Sequence, residues 1–476
     1  MAMKTMNIKL VSHEIIKPSC PTPNHLRLLQ ASLFDHVNSP TLMPLIFFFN
    51  SQKASTKIST NEVLYRLKGS LPNTLSMFYP LAGRMQDANY FICNDEGVPY
   101  VHSTVDLLMD DVVHMAEVCE LDKLLPSYGQ EGFSNLLLAI QVNVFACGGI
   151  AIGVKMNHVV SDAFSLTMFV KTWASIANNN GNYHHALLGC PNFEICKLFP
   201  PSKPRKVNGI DVFANQDTRL IKDRPMTKWF MFHKGKLNAL KSTLSSSSTN
   251  LVLSAFIWSR IKVACHKSAN DIPYQVFHSV NLRRKLAPPN DEQSYYFGNI
   301  FVNAVVKLSM IQVLNDDKIN DNNISNCQRD FLNQMNESIG KVINNDKFIR
   351  EMQDGKEDLK FITQHFERVS KGDIVALGFS NLRSLRVYEA DFGWGMPIWV
   401  TSATLMFKNL VILIPAGPSS NNIVAYINLS SEDMAKLEND KEFIAVVSKA
   451  PHATTELYQS TNAISFFFMV IFSHAV

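Results

Sequence analysis

The sequence predicts a mixed α/β (α+β) fold built as two domains of similar size, and three observations carry that reading. The chain has 476 residues, of which 46% are hydrophobic. That is too long for one simple core and sufficient for two domains of about 200 residues each. Strand-like and helix-like periodicities interleave in both halves. Between the halves, "LFPPSKPRKVNG" (Leu198 to Gly209) gathers three prolines and a cluster of basic residues. Proline fixes φ and removes a donor, so this stretch reads as an extended connector. The division that follows is 1–197 for the first domain, 198–224 for the connector, 225–451 for the second domain and 452–476 for an atypical apolar tail.

The elements follow in order. "TLMPLIFFF" (Thr41 to Phe49) has the unbroken apolar pattern of a buried strand. Ser59 to Phe78 opens on Ser/Thr capping candidates and carries leucines at helical spacing. Two apolar runs around Cys147-Gly148-Gly149 predict a hairpin. In its second arm Ile150, Ile152, Val154 and Met156 alternate with Ala151, Gly153, Lys155 and Asn157, which predicts a strand with one buried face. "SDAFSLTMFVKTWASIA" then places Leu166, Phe169, Val170 and Trp173 on one helical face. Asn250 to Ser268 reads as a helix, "NIFVNAVVKLS" and "NLVILIPAG" as strands, and the polar run Leu314 to Asn326 as a surface loop. Hairpins among helices favour mixed sheets over a purely parallel one.

Composition excludes several classes. Charged residues make up 18% of the chain and net charge is +4. The chain is therefore globular, without a Lys/Arg block of the kind that tracks nucleic acid. The eight cysteines form no C-x-x-C and no Cys/His cluster with zinc spacing, so no metal is expected and they read as reduced, mostly buried thiols of a cytoplasmic protein. The N-terminal stretch lacks the apolar core of a signal peptide. The tail run "AISFFFMVIF" is about half the ~20 residues that a spanning helix needs.

Two constellations carry candidate chemistry. "KMNHVVSDAF" holds His158 and Asp162 in H-x-x-x-D spacing, and "EADFGWGMPIWV" holds Asp391 among Gly393, Gly395 and large aromatics. Spacing alone is weak, because "HSTVD" (His102 to Asp106) matches it too. Context separates them. His158 ends an alternating strand on its apolar phase, and a helix that Ser161 or Asp162 can cap begins at once. Rigid elements on both sides can present that side chain to a cleft. His102 lies inside a Val-flanked strand with no helix behind it and reads as structural. For His158, a catalytic group and a core histidine beside a capping aspartate both fit the local pattern. The glycines around Phe392 and Trp394 mark a turn with unusual φ or a close approach. A kinase reading of "DFG" fails for want of a glycine-rich loop and a catalytic H-R-D; no G-x-S-x-G, Walker A or H-E-x-x-H is present.

Together H-x-x-x-D in the first half and D-F-G-W-G in the second resemble the signature pair of the plant BAHD acyltransferases. "FYPLAGRM", "VNLRRKLAPP", "YYFGNIF" and the opening segment Ile15 to Asp35 resemble further family segments, so the likeness runs almost end to end. It implies two chloramphenicol-acetyltransferase-like domains joined by a crossover loop, with a channel between them that admits acyl-CoA from one side and the acceptor from the other. It also implies an acyl-CoA-dependent O-acyltransferase that uses acyl-CoA as co-substrate without a metal. His158 is then the general base, and Asp391 is a catalytic-site residue that stabilises the loop shaping the CoA channel. Asp162 supports the site by pairing with Arg283, for which Arg284 is the alternative. Asn299 belongs to the same region. The position where some relatives carry an oxyanion-donating tryptophan is Leu382 here, which leaves Ser380 and Asn381 as candidate donors. The resemblance is greatest to the alkaloid and alcohol acetyltransferases, which favours acetyl-CoA and an alkaloid, terpenoid or simple alcohol as acceptor. A longer or branched acyl group and an amine acceptor are same-class alternatives; a non-catalytic binding protein is the alternative of another class. A monomer is expected.

Overall fold

A computed structural model describes residues 5–50, 58–87, 89–115, 117–127, 135–179, 190–201, 225–265, 272–286, 295–308, 321–354, 368–369 and 371–448. Most of the connector and all of the apolar tail lie outside these described residues. The first half contributes β1 (Ile8–Ile16), β2 (Leu28–Gln30), β3 (Leu42–Phe49), β4 (Arg84–Met85), β5 (Tyr90–Ile92), β6 (Val98–Val105), β7 (Leu138–Phe145) and β8 (Ile150–Asn157). The second contributes β9 (Pro225–Phe232), β10 (Tyr274–Asn281), β11 (Phe301–Leu308), β12 (Val375–Asn381), β13 (Trp399–Thr401), β14 (Leu410–Pro415), β15 (Ile423–Ser430) and β16 (Val447–Ser448). They build a six-stranded sheet in the order β1-β6-β7-β8-β3-β13, a seven-stranded sheet β11-β10-β12-β14-β15-β9-β16, and a small sheet β2-β5-β4. Both large sheets are mixed. In each, a parallel pair (β6 with β7, β12 with β14) is followed by two antiparallel neighbours (β8 and β3, β15 and β9).

The helices form where the capping and spacing predict. Helix Thr60–Met77 is capped by Ser59, whose Oγ accepts from the Glu62 N–H at 3.2 Å. It packs against helix Ala163–Asn178, and the buried Trp173 Nε1 donates across that contact to Leu67 O (3.2 Å) and Ser70 Oγ (3.0 Å). Helix Thr249–Cys265 is buried on every face from Leu251 to Val263, its one buried guanidinium, Arg260, paired with Asp440.

Three expectations change. β8 is buried on both faces, not one: Ile152 and Val154 enter one core cluster and Ala151 another on the opposite face, where its small residues admit neighbouring backbone. A Cβ on Gly153 would sit 2.2 Å from Leu124 O. The predicted loop at 314–326 ends in helix, because Asp321–Asn344 is helical and Ile324, Phe331, Leu332 and Met335 put one stripe into the core. The cysteines are not mostly buried; only Cys93 is, whereas Cys20, Cys119, Cys147 and Cys190 are exposed, and none forms a disulfide. The two halves are also interlocked. β13 comes from the second half yet pairs with β3 in the first sheet, Trp399 opposite Phe48. Leu33 and Phe34 in turn join the second half's core.

Candidate active site

β8 ends at Asn157, whose Oδ1 accepts from the Val159 N–H (3.0 Å) and shapes the turn. The His158 N–H donates to Thr41 O at 2.8 Å. Asp162 then caps helix Ala163–Asn178, accepting from the Ser165 N–H at 2.9 Å. The histidine is thus held between two rigid elements.

Its ring is oriented by Asn299, which is fully buried. Asn299 Nδ2 faces three oxygens: His158 O (2.7 Å), Val159 O (3.0 Å) and Asp35 Oδ1 (3.0 Å). That surrounding assigns the amide's orientation and leaves Oδ1 toward His158 Nδ1, 3.1 Å away. An amide oxygen only accepts, so Nδ1 carries the hydrogen and Nε2 keeps its lone pair. Burial lowers the imidazole below its ordinary pKa, against weaker opposing effects of its own backbone hydrogen bond, the Asp162 charge and Asn299. The ring is therefore neutral at pH 7.

Asp162 faces away into a buried ion pair. Arg283 Nη1 donates to its Oδ2 (2.7 Å) and Nη2 to its Oδ1 (3.1 Å). Burial alone would raise this carboxyl, but Arg283 and the Ser165 and Ile300 N–H groups outweigh it and hold the pKa low. Arg283 also donates to Ser165 Oγ, Gly298 O and Tyr296 O, each at 2.9 Å. It sits 4.3 Å from the Phe164 ring centroid. The neighbouring Arg284 is exposed. The pair ties the strand–helix turn of the first half to the second half.

His158 opens into a cavity of about 260 Å³ walled by β3 from the first half and β10, β12 and β14 from the second. A second cavity of about 850 Å³ adjoins it. Ser279, Phe301, Ser380, Phe407 and Leu410 line both. Asn381 and the buried Leu382 line the smaller one, and Asn381 Oδ1 accepts from the Arg383 N–H (3.1 Å), which leaves Nδ2 as its donor.

The structure therefore gathers His158, Asp162, Arg283 and Asn299 into one cluster, with Ser380 and Asn381 on the same cavity wall. Asp391 is not among them. It lines neither cavity, and its Oδ1 accepts from the Gly393 (2.8 Å) and Gly395 (2.9 Å) N–H groups of its own loop. Those glycines have φ of +98° and +111°, the left-handed region that favours glycine. The tight loop drives Phe392 against Trp173 (5.1 Å, edge-on) and Phe49 (5.6 Å), bracing the helix that follows His158. His102 lies within β6 and lines neither cavity. Sequence reasoning missed Asp35 altogether. Its only local signal is Ser32-x-x-Asp35, a turn pattern, and Asp35 Oδ2 indeed accepts from the Ser32 N–H (2.7 Å) and hydroxyl (2.8 Å).

Two mixed sheets that meet beside adjoining cavities, with a neutral histidine presented where the halves meet, define a protein of the two-domain acyltransferase class. The family model described as the Transferase family matches residues 6–444. The chain belongs to that family, whose plant members are the BAHD acyltransferases, and is an acyl-CoA-dependent O-acyltransferase. It is 30% identical to a limonoid 1-O-acetyltransferase of Citrus sinensis, over 93% of this chain and 99% of that one. It is 31% identical to (13S,14R)-1,13-dihydroxy-N-methylcanadine 13-O-acetyltransferase AT1 of Papaver somniferum, over 92% and 98%. Among solved structures, vinorine synthase superposes with a TM-score of 0.75 at 26% identity, covering 94% of this chain and all of that one.

Proposed function

We propose that His158 is the general base of a direct acyl transfer from acetyl-CoA to a hydroxyl of a plant specialised metabolite, an alkaloid, a terpenoid or a simple alcohol. The observation that carries this is the Asn299 contact, which leaves the Nε2 lone pair of a neutral imidazole as the ring's free basic site beside the shared cavities. A hydroxyl with pKa far above 7 attacks a thioester poorly. As its oxygen approaches the carbonyl carbon, Nε2 takes the hydroxyl proton, an effect typically worth ~10²–10⁴ in rate. The tetrahedral intermediate then collapses: the C–S bond breaks, the imidazolium returns the proton to the CoA sulfur, and ester and free CoA leave. Ser380 and Asn381 are the proposed donors to the oxyanion. Asp162 and Arg283 hold the turn, and Asp391 shapes the loop that braces the helix behind it.

The acetyltransferase relatives support acetyl as the donor group, and the largely apolar walls suit an acceptor with an apolar body. We place the protein in the cytoplasm as a monomer. Purified protein incubated with a panel of acyl-CoAs and alcohol or amine acceptors, read by thiol release, tests the reading. Acetyl-CoA with an alcohol is the expected pair; a longer or branched acyl-CoA or an amine would redirect it within the class. His158→Ala should abolish turnover with the fold retained. Turnover by that variant would refute the base, and absence of acyl-CoA binding to the native protein would mark a non-catalytic binder.

A further inference from the structure

Asp35 is a buried acid that the proton transfer above does not use. Its Oδ1 accepts from Asn299 Nδ2 (3.0 Å), and Asn299 Oδ1 in turn accepts from His158 Nδ1 (3.1 Å). The three side chains form one line across 264 residues of sequence. The carboxylate accepts from Asn299 Nδ2 on one oxygen and from the Ser32 N–H and hydroxyl on the other, and these hydrogen bonds favour the ionised form.

We propose that Asp35 is a positioning residue for His158, acting through Asn299: its carboxylate, together with the His158 and Val159 carbonyls, holds the amide with the oxygen toward Nδ1 and so helps to maintain the tautomer whose Nε2 is the base. Without that acceptor the Asn299 amide loses a reason to prefer this orientation. Flipped, it would point N–H at Nδ1 and select the wrong tautomer. The negative charge also faces the imidazolium that forms as the acceptor's proton arrives, through one polarisable amide. Burial raises the Asp35 carboxyl to about 6, against the lowering hydrogen bonds of Ser32 and Asn299. The titratable groups around it are His36 beside it in the chain, Cys196 on helix Ile195–Leu198, whose thiol feels its charge, and, past Asn299, His158 with the Asp162–Arg283 pair.

This inference rests on His158 being the base. The test is kcat and kcat/KM against pH for native protein and Asp35→Asn, with folding checked by circular dichroism at each pH. In the native protein His158 must lose a proton and ionised Asp35 adds about tenfold, so the acid limb of log kcat/KM steepens beyond a slope of one where Asp35 titrates. Asp35→Asn should lower kcat about tenfold at pH 8, as loss of an outer orienting group does, leave acceptor KM within about twofold, and reduce the limb to a slope of one. A folded Asp35→Asn protein with native kcat and a native limb overturns the proposal. If that variant does not fold, Ser32→Ala removes a hydrogen bond to the ionised carboxylate and should move the acid limb to higher pH; an unmoved limb overturns it equally. His158→Ala separates the two readings. Turnover by His158→Ala defeats the base itself, whereas a dead His158→Ala beside an unaffected Asp35→Asn defeats only this inference.

Discussion

Replacing Arg283 by methionine should unfold the site from its centre. The guanidinium is 3% exposed and its partner Asp162 10%, so water cannot take over the pairing. Methionine fills most of the volume but leaves Asp162 with only the Ser165 N–H (2.9 Å) and Ile300 N–H (3.1 Å). An uncompensated buried charge of this kind costs ~3–5 kcal/mol. In Arg283→Met/Asp162→Asn the charge is gone and the loss reduces to hydrogen bonds, about 1 kcal/mol each. The double-mutant cycle should therefore return a favourable coupling of ~2–3 kcal/mol. Activity should fall further than stability alone explains, because the turn bearing His158 moves, and a misplacement of about 1 Å can cost ~10² in rate. Urea unfolding followed by tryptophan fluorescence measures the first effect, and thiol release at saturating acetyl-CoA the second. Arg283→Met within ~1 kcal/mol of native, with no coupling to Asp162, would refute the view that this pair fastens the halves together.

Two further outcomes concern stability. Gly393→Ala places a Cβ 2.9 Å from Asn178 Oδ1 at a φ of +98°, and should cost ~1–3 kcal/mol and loosen Phe392 and Trp394; thermal unfolding beside Gly235→Ala, where no atom lies within 4 Å of the added carbon, isolates the effect. For Asp35 the folded pKa, about 6, lies above its ordinary 3.8. Between those values the unfolded chain is ionised while the folded one keeps its proton, so stability falls as pH rises through this window, by ~3 kcal/mol in all. Asp35→Asn should lack that fall. The difference between the two proteins isolates Asp35, because the lowered histidines His158 and His278 are common to both. Asp162 has the opposite sign: its lowered pKa lends stability above ~4 that is lost on acidification.

Much of this molecule was legible in short windows of sequence. The strand before His158, the cap at Asp162, the Ser59-capped helix and the hairpin at Gly148 each follow from periods of two or 3.6 residues and from residues with special backbone freedom. Those are local properties, and local structure obeyed them. The same windows misread β8, because an alternation of large and small residues looks alike whether one face is covered or both. They misread Asp321–Asn326, because a polar first turn resembles a loop until the stripe beyond it is seen to enter a core.

What tertiary structure alone decided is who faces whom. Two adjacent arginines have the same local sequence context, yet only Arg283 meets Asp162, since the short helix Arg283–Leu286 turns Arg284 to solvent. β13 joins a sheet built by the other half. Asp35, Asn299 and His158 align although nothing in their flanking residues announces it. A hydrogen bond spans about 3 Å and is blind to the number of residues between its partners. Periodicity states which face of an element is apolar, and only the packing of those faces brings a donor from one half within reach of an acceptor in the other.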